Sequence, residues 1–294
     1  MKLNKKYIAI GLSFLVLCWI GNIIYYKDHV LKEPLFIKHY YDVEKGSRKI
    51  NLFYIQNINS KNKITSIIFP EIGQQELTFT ESDGEVDNKY YMLKNVEAKI
   101  IDYNEEDIPD EYKNKVITKA QVQFSDGTTM SVNLGKIYLY SDVIEQEDLS
   151  VQYTKSYSYI DGSRTTSTSS TTLGVHPNTT LSGGYEIKIT GISSNFDEEI
   201  KDIIHIYVNE EPIDKDSFPI YLKKEDTISF GYAFDYSNDI KKINNAYFLK
   251  FNVLTEDPEG DKGSTSFNVY SNMPEPTNFD IHSLKADLGG NNCC

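Results

Sequence analysis

Five histidines are the side chains of this chain best suited to proton transfer or metal binding near neutral pH: His29, His39, His176, His205 and His282. No two stand four residues apart, so a helical zinc pair of the HExxH kind is absent. His205 sits between Ile204 and Ile206 in an alternating stretch, which turns its ring toward solvent rather than toward a ligand. Ser60-Lys61-Asn62-Lys63 has the SxxK spacing of the nucleophile in penicillin-interacting enzymes. That chemistry needs a helix start, a helical domain and partner motifs, none of which the sequence offers; a β-turn fits better. There is no GxSxG elbow, no Walker loop and no GxGxxG. Cysteine is confined to Cys18, Cys293 and Cys294, so a cysteine nucleophile and an internal disulfide are both excluded from the body of the chain.

Acid clusters are the remaining source of chemistry. Asp257, Glu259 and Asp261 alternate around Pro258 and Gly260, and Asp83, Glu85 and Asp87 alternate around Gly84. Calcium takes oxygen ligands from such loops, but an EF-hand needs an acid at its twelfth position, and counting from Asp257 gives Asn268. Solvated hairpin tips are the expectation for both. Glu105-Glu106-Asp107 with Asp110-Glu111 reads as an acidic loop. Paired carboxylates cleave glycosidic bonds, but nothing singles out one pair. The sequence therefore assigns no catalytic, cofactor-binding or metal-ligating residue.

The elements that would position these groups are strands. Tyr occurs 22 times and Phe 14 times, and Ile and Thr are plentiful, which suits pleated, half-buried surfaces. The clearest unit is a hairpin over 118–134. A two-residue loop at Asp126-Gly127 would split its apolar residues between two faces. A three-residue loop, Ser125-Asp126-Gly127, pairs Val122 with Met130 and Ala120 with Val132, and puts Gly127 in the left-handed position of a bulged turn. Strand-like runs recur at 50–58, 64–69, 76–80, 89–101, 136–140, 185–189, 204–208, 228–236, 249–253 and 267–269. One or two helical turns are expected over 196–203. Residues 163–172, SRTTSTSSTT, serve either as a flexible linker or as part of a long hairpin with its tip at Asp161-Gly162.

One segment is not a strand. Tyr7–Tyr26 is twenty residues without a charge, and at about 1.5 Å per residue it spans roughly 30 Å, one bilayer core. It is longer than the core of a signal peptide, and the following Tyr25, Tyr26, Lys27 and Asp28 do not suit signal peptidase. Bulky Val16-Leu17 argues against lipid attachment at Cys18. The expectation is a retained anchor. Lys2, Lys5 and Lys6 place residues 1–6 in the cytoplasm. The chain holds 30 basic and 43 acidic residues; the first 32 take five Lys and one Asp, leaving 25 against 42, a net of −17. Nucleic acid is thus a poor partner for the rest. The terminal Cys293-Cys294 pair reads as a disordered tail with exposed thiols rather than as a prenylation signal.

The expected architecture is all-β: two β-sandwich-like domains, the second broadly immunoglobulin-like in its patterning, behind one N-terminal transmembrane helix. The map is a cytoplasmic tail 1–6, an anchor 7–26, a juxtamembrane stalk 27–34, a first β domain 35–145, a linker or hairpin 146–182, a second β domain 183–275 and a tail 276–294. The localisation expected is the cell membrane, single-pass, with the bulk outside. The function expected is an extracytoplasmic binding or assembly module for a protein or envelope polymer, with no cofactor. The alternatives are a hydrolase acting on envelope glycans through a carboxylate pair, and a structural spacer.

Overall fold

The computed structural model describes residues 5–44, 47, 49–73, 77–84, 89–100, 112–140, 151–154, 176–183, 186–223, 226–236 and 239–271. The protein is mostly β, with 55% strand and 18% helix, and has several sheets and one N-terminal apolar helix. That helix, α1 (Lys5–His29), carries an 18-residue stretch, Ile10–Lys27, of mean hydropathy 1.5 with none of it buried. It is long and apolar enough to cross a membrane. Lys27 lies in its last turn, where a cation complements the carbonyl ends of the helix.

The described strands, in chain order, are β1 (Leu35–Phe36), β2 (His39–Val43), β3 (Lys49–Asn57), β4 (Ile64–Ile68), β5 (Leu77–Asp83), β6 (Tyr91–Ile100), β7 (Lys115–Phe124), β8 (Thr129–Leu139), β9 (Val151–Thr154), β10 (His176–Gly183), β11 (Ile187–Ser194), β12 (Ile204–Val208), β13 (Glu211–Pro212), β14 (Ile220–Leu222), β15 (Thr227–Phe234), β16 (Ala246–Glu256) and β17 (Lys262–Tyr270). They form a four-stranded sheet, β1-β3-β6-β5, and a five-stranded sheet, β13-β12-β15-β10-β9. The third sheet has eight strands, β14-β11-β16-β2-β8-β7-β4, with β17 on the far side of β16. Strand β2 runs parallel to both β8 and β16; the other described pairs are antiparallel. One helical turn, α2 (Asp197–Ile200), follows β11, where Ser194 Oγ accepts from the Phe196 N–H.

Two buried clusters hold the chain together. The first joins Leu52, Tyr54, Val96 and Ala98 of the four-stranded sheet to Ile117, Ala120, Leu134 and Ile137 of the eight-stranded sheet. The second joins Ile204, Phe230 and Phe234 to Ile189, Leu249, Val253 and Phe267. They meet on three strands. Tyr41, Ile137 and Ala246 lie in the first cluster, while their neighbours Tyr40, Tyr138 and Tyr247 lie in or against the second. Successive strand residues point to opposite faces, so the two cores cover opposite faces of β16, β2 and β8. A parallel strand buried on both sides has no polar face to show, which is why His39-Tyr40-Tyr41 carries no alternation.

The hairpin of β7 and β8 has the three-residue loop. Val122 pairs with Met130 and Ala120 with Val132, and Gly127 has φ +85°. Phe124 N–H donates to the Thr128 carbonyl at 2.9 Å, closing the bulged turn. The segments flanking the Ser/Thr tract also pair, Val151 with Gly183 and Thr154 with Thr180. The tract 163–172 itself and Asp161-Gly162 lie outside the described residues.

Candidate functional site

The residues singled out for chemistry are scattered. His205 is about half exposed on β12, 3.9 Å from an Asp235 oxygen. His176 opens β10 opposite Tyr232. His282, Glu85, Asp87, Cys293, Cys294 and the acids of 105–111 lie outside the described residues. Ser60 and Lys63 lie in the turn between β3 and β4, with Ser60 N–H donating to the Asn57 carbonyl and no helix nearby in the chain. Asp257–Asp261 is the tip between β16 and β17: Gly260 N–H donates to the Asp257 carbonyl at 3.0 Å, and the Asp257 carboxylate accepts from Asp261 N–H at 2.8 Å. Among the described residues, no three His, Cys, Asp or Glu side chains converge to hold a metal.

His39 is the residue the sequence did not distinguish. It is fully buried on β2, stacked on Phe53 with centroids 6.0 Å apart, and its Nε2 accepts from Phe53 N–H at 2.8 Å. Strand β1 ends at Phe36, and the Ile37 N–H still bonds the Phe53 carbonyl at 3.1 Å. As the chain then leaves for the other sheet, the imidazole takes the Phe53 N–H that would otherwise be orphaned. Burial pushes the His39 pKa down to about 3. The Leu134 backbone opposes that shift only in part, and Nδ1 has no hydrogen-bond partner among the described residues. The backbone opposite is Gly135, φ +89°, where a Cβ would stand 2.6 Å from the His39 carbonyl oxygen. His39 is thus a neutral cross-link between sheets, closed to substrate.

Four acids have partners that fix their roles. Glu81 and Asp83 both pair with Lys94, the Glu81 contact being 3.2 Å, and the Lys94 side chain is only 10% exposed. Burial disfavours the ammonium, but the two carboxylates outweigh it and hold the Lys94 pKa above its usual value. A general acid of a glycosidase needs the opposite environment, one that keeps its proton on. Asp42 is buried on β2, accepting from Asn195 Nδ2 at 2.6 Å and from Lys250 N–H at 2.8 Å. Burial raises its pKa, yet both oxygens are already engaged and face no solvent. Glu71 caps the bulge in β7 between Ile117 and Lys119, one oxygen accepting from Thr118 N–H, Thr118 Oγ1 and Lys119 N–H. Burial works against its charge, but those bonds prevail and lower its pKa.

The most developed surface constellation is where α1 meets the first core. Leu31, two residues past the helix end, is buried in that core at 5% exposure. The Asn57 side chain holds its backbone at both ends: Oδ1 accepts from Leu31 N–H at 2.9 Å, and Nδ2 donates to the Leu31 carbonyl at 2.8 Å. Tyr25, His29 and Tyr90 form a ring cluster, with centroids 4.2 Å apart for Tyr25 and His29 and 4.8 Å for His29 and Tyr90. The Tyr90 and Tyr25 hydroxyls are 3.2 Å apart. Ile58 N–H donates to the Tyr90 carbonyl at 2.8 Å, and Lys89 Nζ stands 5.4 Å over the Tyr90 ring. Helix and β unit are therefore joined by packing and hydrogen bonds. Sequence reasoning noted Tyr25 at the end of the apolar run, but pairing Asn57 with Leu31 requires the fold.

No family model and no curated protein matches this sequence. A solved structure of a protein of unknown function from Porphyromonas gingivalis W83 aligns over 81% of this chain and 96% of its own, at 8% identity and a TM-score of 0.25. A likeness that distant carries nothing about function.

Proposed function

We propose that the protein is a single-pass, membrane-anchored module that binds or assembles a protein or envelope polymer outside the cytoplasm. The observation that supports this is the junction: an apolar, unburied helix runs without slack into a β body through Leu31 and Asn57. The exposed apolar length of α1 supports lipid as its surroundings. The β body is read as two sandwich-like units, the second immunoglobulin-like in pattern. The excess of acids turns the module away from nucleic acid and toward a cationic partner. A hydrolase acting through a carboxylate pair is the alternative; of the described acids, Glu81 and Asp83 share one lysine and Asp42 is buried, so none of these three forms the pair it needs.

Cross-linking and pull-down from native membranes with the full chain tests this reading, alongside a hydrolase screen on envelope glycans. Binding that weakens as salt rises supports it. Turnover abolished by changing a single carboxylate would replace the module with an enzyme.

A further inference from the structure

We infer that the anchor-proximal face of the first β unit is a phospholipid-headgroup contact surface; this rests on the anchor reading above. Tyr90 touches Tyr25, which lies inside the apolar stretch ending at Lys27, so the loop carrying Tyr90 stands level with the helix end. Only Val30 separates the last helical residue, His29, from the seated Leu31. At about 3.5 Å per residue the β unit starts no more than about 7 Å beyond the helix. The headgroup layer of one leaflet is about 5–7 Å deep. Ile58, after β3, and Lys89-Tyr90, before β6, therefore share that layer.

Their chemistry fits it. Ile58 is one of the few exposed large apolar residues outside α1. Tyr90 brings an amphipathic ring, and Tyr25 and Tyr26 add two more. Lys89 stands over the Tyr90 ring, and Lys27 and Lys32, each followed by an acid (Asp28, Glu33), are exposed at the helix end. The loop segments 57–63 and 89–92 contain no acid of their own, though Asn62 reaches Asp126 on a neighbouring hairpin. Those two segments carry Lys61, Lys63 and Lys89, a sign opposite to the net of −17 over residues 33–294. Lysine stems lie along apolar surface while their ammonium groups reach the lipid phosphates. An acidic body is thus held close to a bilayer by a basic, aromatic collar on one end, whichever side of the membrane it occupies.

Tryptophan fluorescence of the full chain in phosphatidylcholine–phosphatidylglycerol bilayers, with and without brominated acyl chains, tests the contact. Trp19 is the sole native indole and reports the anchor. In a W19F background, I58W and Y90W report the collar, and Y221W reports a remote exposed position. The expected result is blue-shifted, quenched emission for I58W and Y90W, water-like emission for Y221W, and partial loss of quenching on adding K27E/K32E/K89E. Emission of I58W and Y90W matching Y221W, while Trp19 is quenched, overturns the headgroup contact and leaves the anchor standing. An unquenched Trp19 overturns the anchor reading and this inference with it.

Discussion

His39 is a buried imidazole kept neutral, and that makes stability depend on pH in a definite direction. Its folded pKa, about 3, lies below the ordinary 6.5. The unfolded chain takes up this proton as pH falls through 6.5, whereas the folded chain refuses it until about 3. The contribution is complete above 6.5 and drains away between 6.5 and 3. From pH 7 to pH 5 the loss is about 2 kcal/mol. Burial of Asp42 acts in the opposite sense, so the variant comparison isolates the histidine. Urea unfolding of the native chain and of H39L at both pH values should show a steeper fall for the native chain, and parallel slopes contradict the assignment. Beside it, Gly135→Ala forces a Cβ against the His39 backbone at a positive φ. We expect a loss of about 3 kcal/mol, from strain plus clash, read by the same titration. Lys94→Met leaves Glu81 and Asp83 facing each other without their cation and should cost about 2 kcal/mol, in contrast with an unchanged midpoint if the pair is mere surface decoration.

Elements differ in how openly the sequence announced them. The β7–β8 hairpin was legible to the register, because its residues alternate cleanly and only one loop length keeps Ala120, Val122, Met130 and Val132 together. The runs that became β12, β15 and β16 were legible for the same reason, and those that became β3 and β6 from their content of aromatic and β-branched residues. Strand β2 was not, since it is paired along both edges and covered by a core on each face, which erases the period. Strands β1, β13 and β14 are two or three residues long and offer no period at all. At the candidate site the aromatic helix end was readable, while Asn57 was only one polar residue closing a strand. Its role predicts that Asn57→Ala removes two hydrogen bonds to Leu31 and costs about 1–3 kcal/mol. Amide exchange at Leu31 should accelerate more than exchange in β7; equal protection in both would show that the clamp is not what seats the helix end.

At the scale of the whole molecule, the shared strands decide cooperativity. Because β16, β2 and β8 carry one core on each face, neither cluster keeps its wall if the other melts. Thermal unfolding of the full chain in detergent should give one transition; two well-separated calorimetric peaks would mean that the clusters are independent. The same continuity makes α1, the collar and the acidic body one mechanical unit, so the place of the anchor sets the place of everything else. The most direct test is therefore protease treatment of intact cells carrying the chain with a C-terminal epitope. The expected result is a membrane-fraction protein whose epitope is lost from intact cells. An epitope that survives until lysis, or a chain recovered in the soluble fraction, contradicts it.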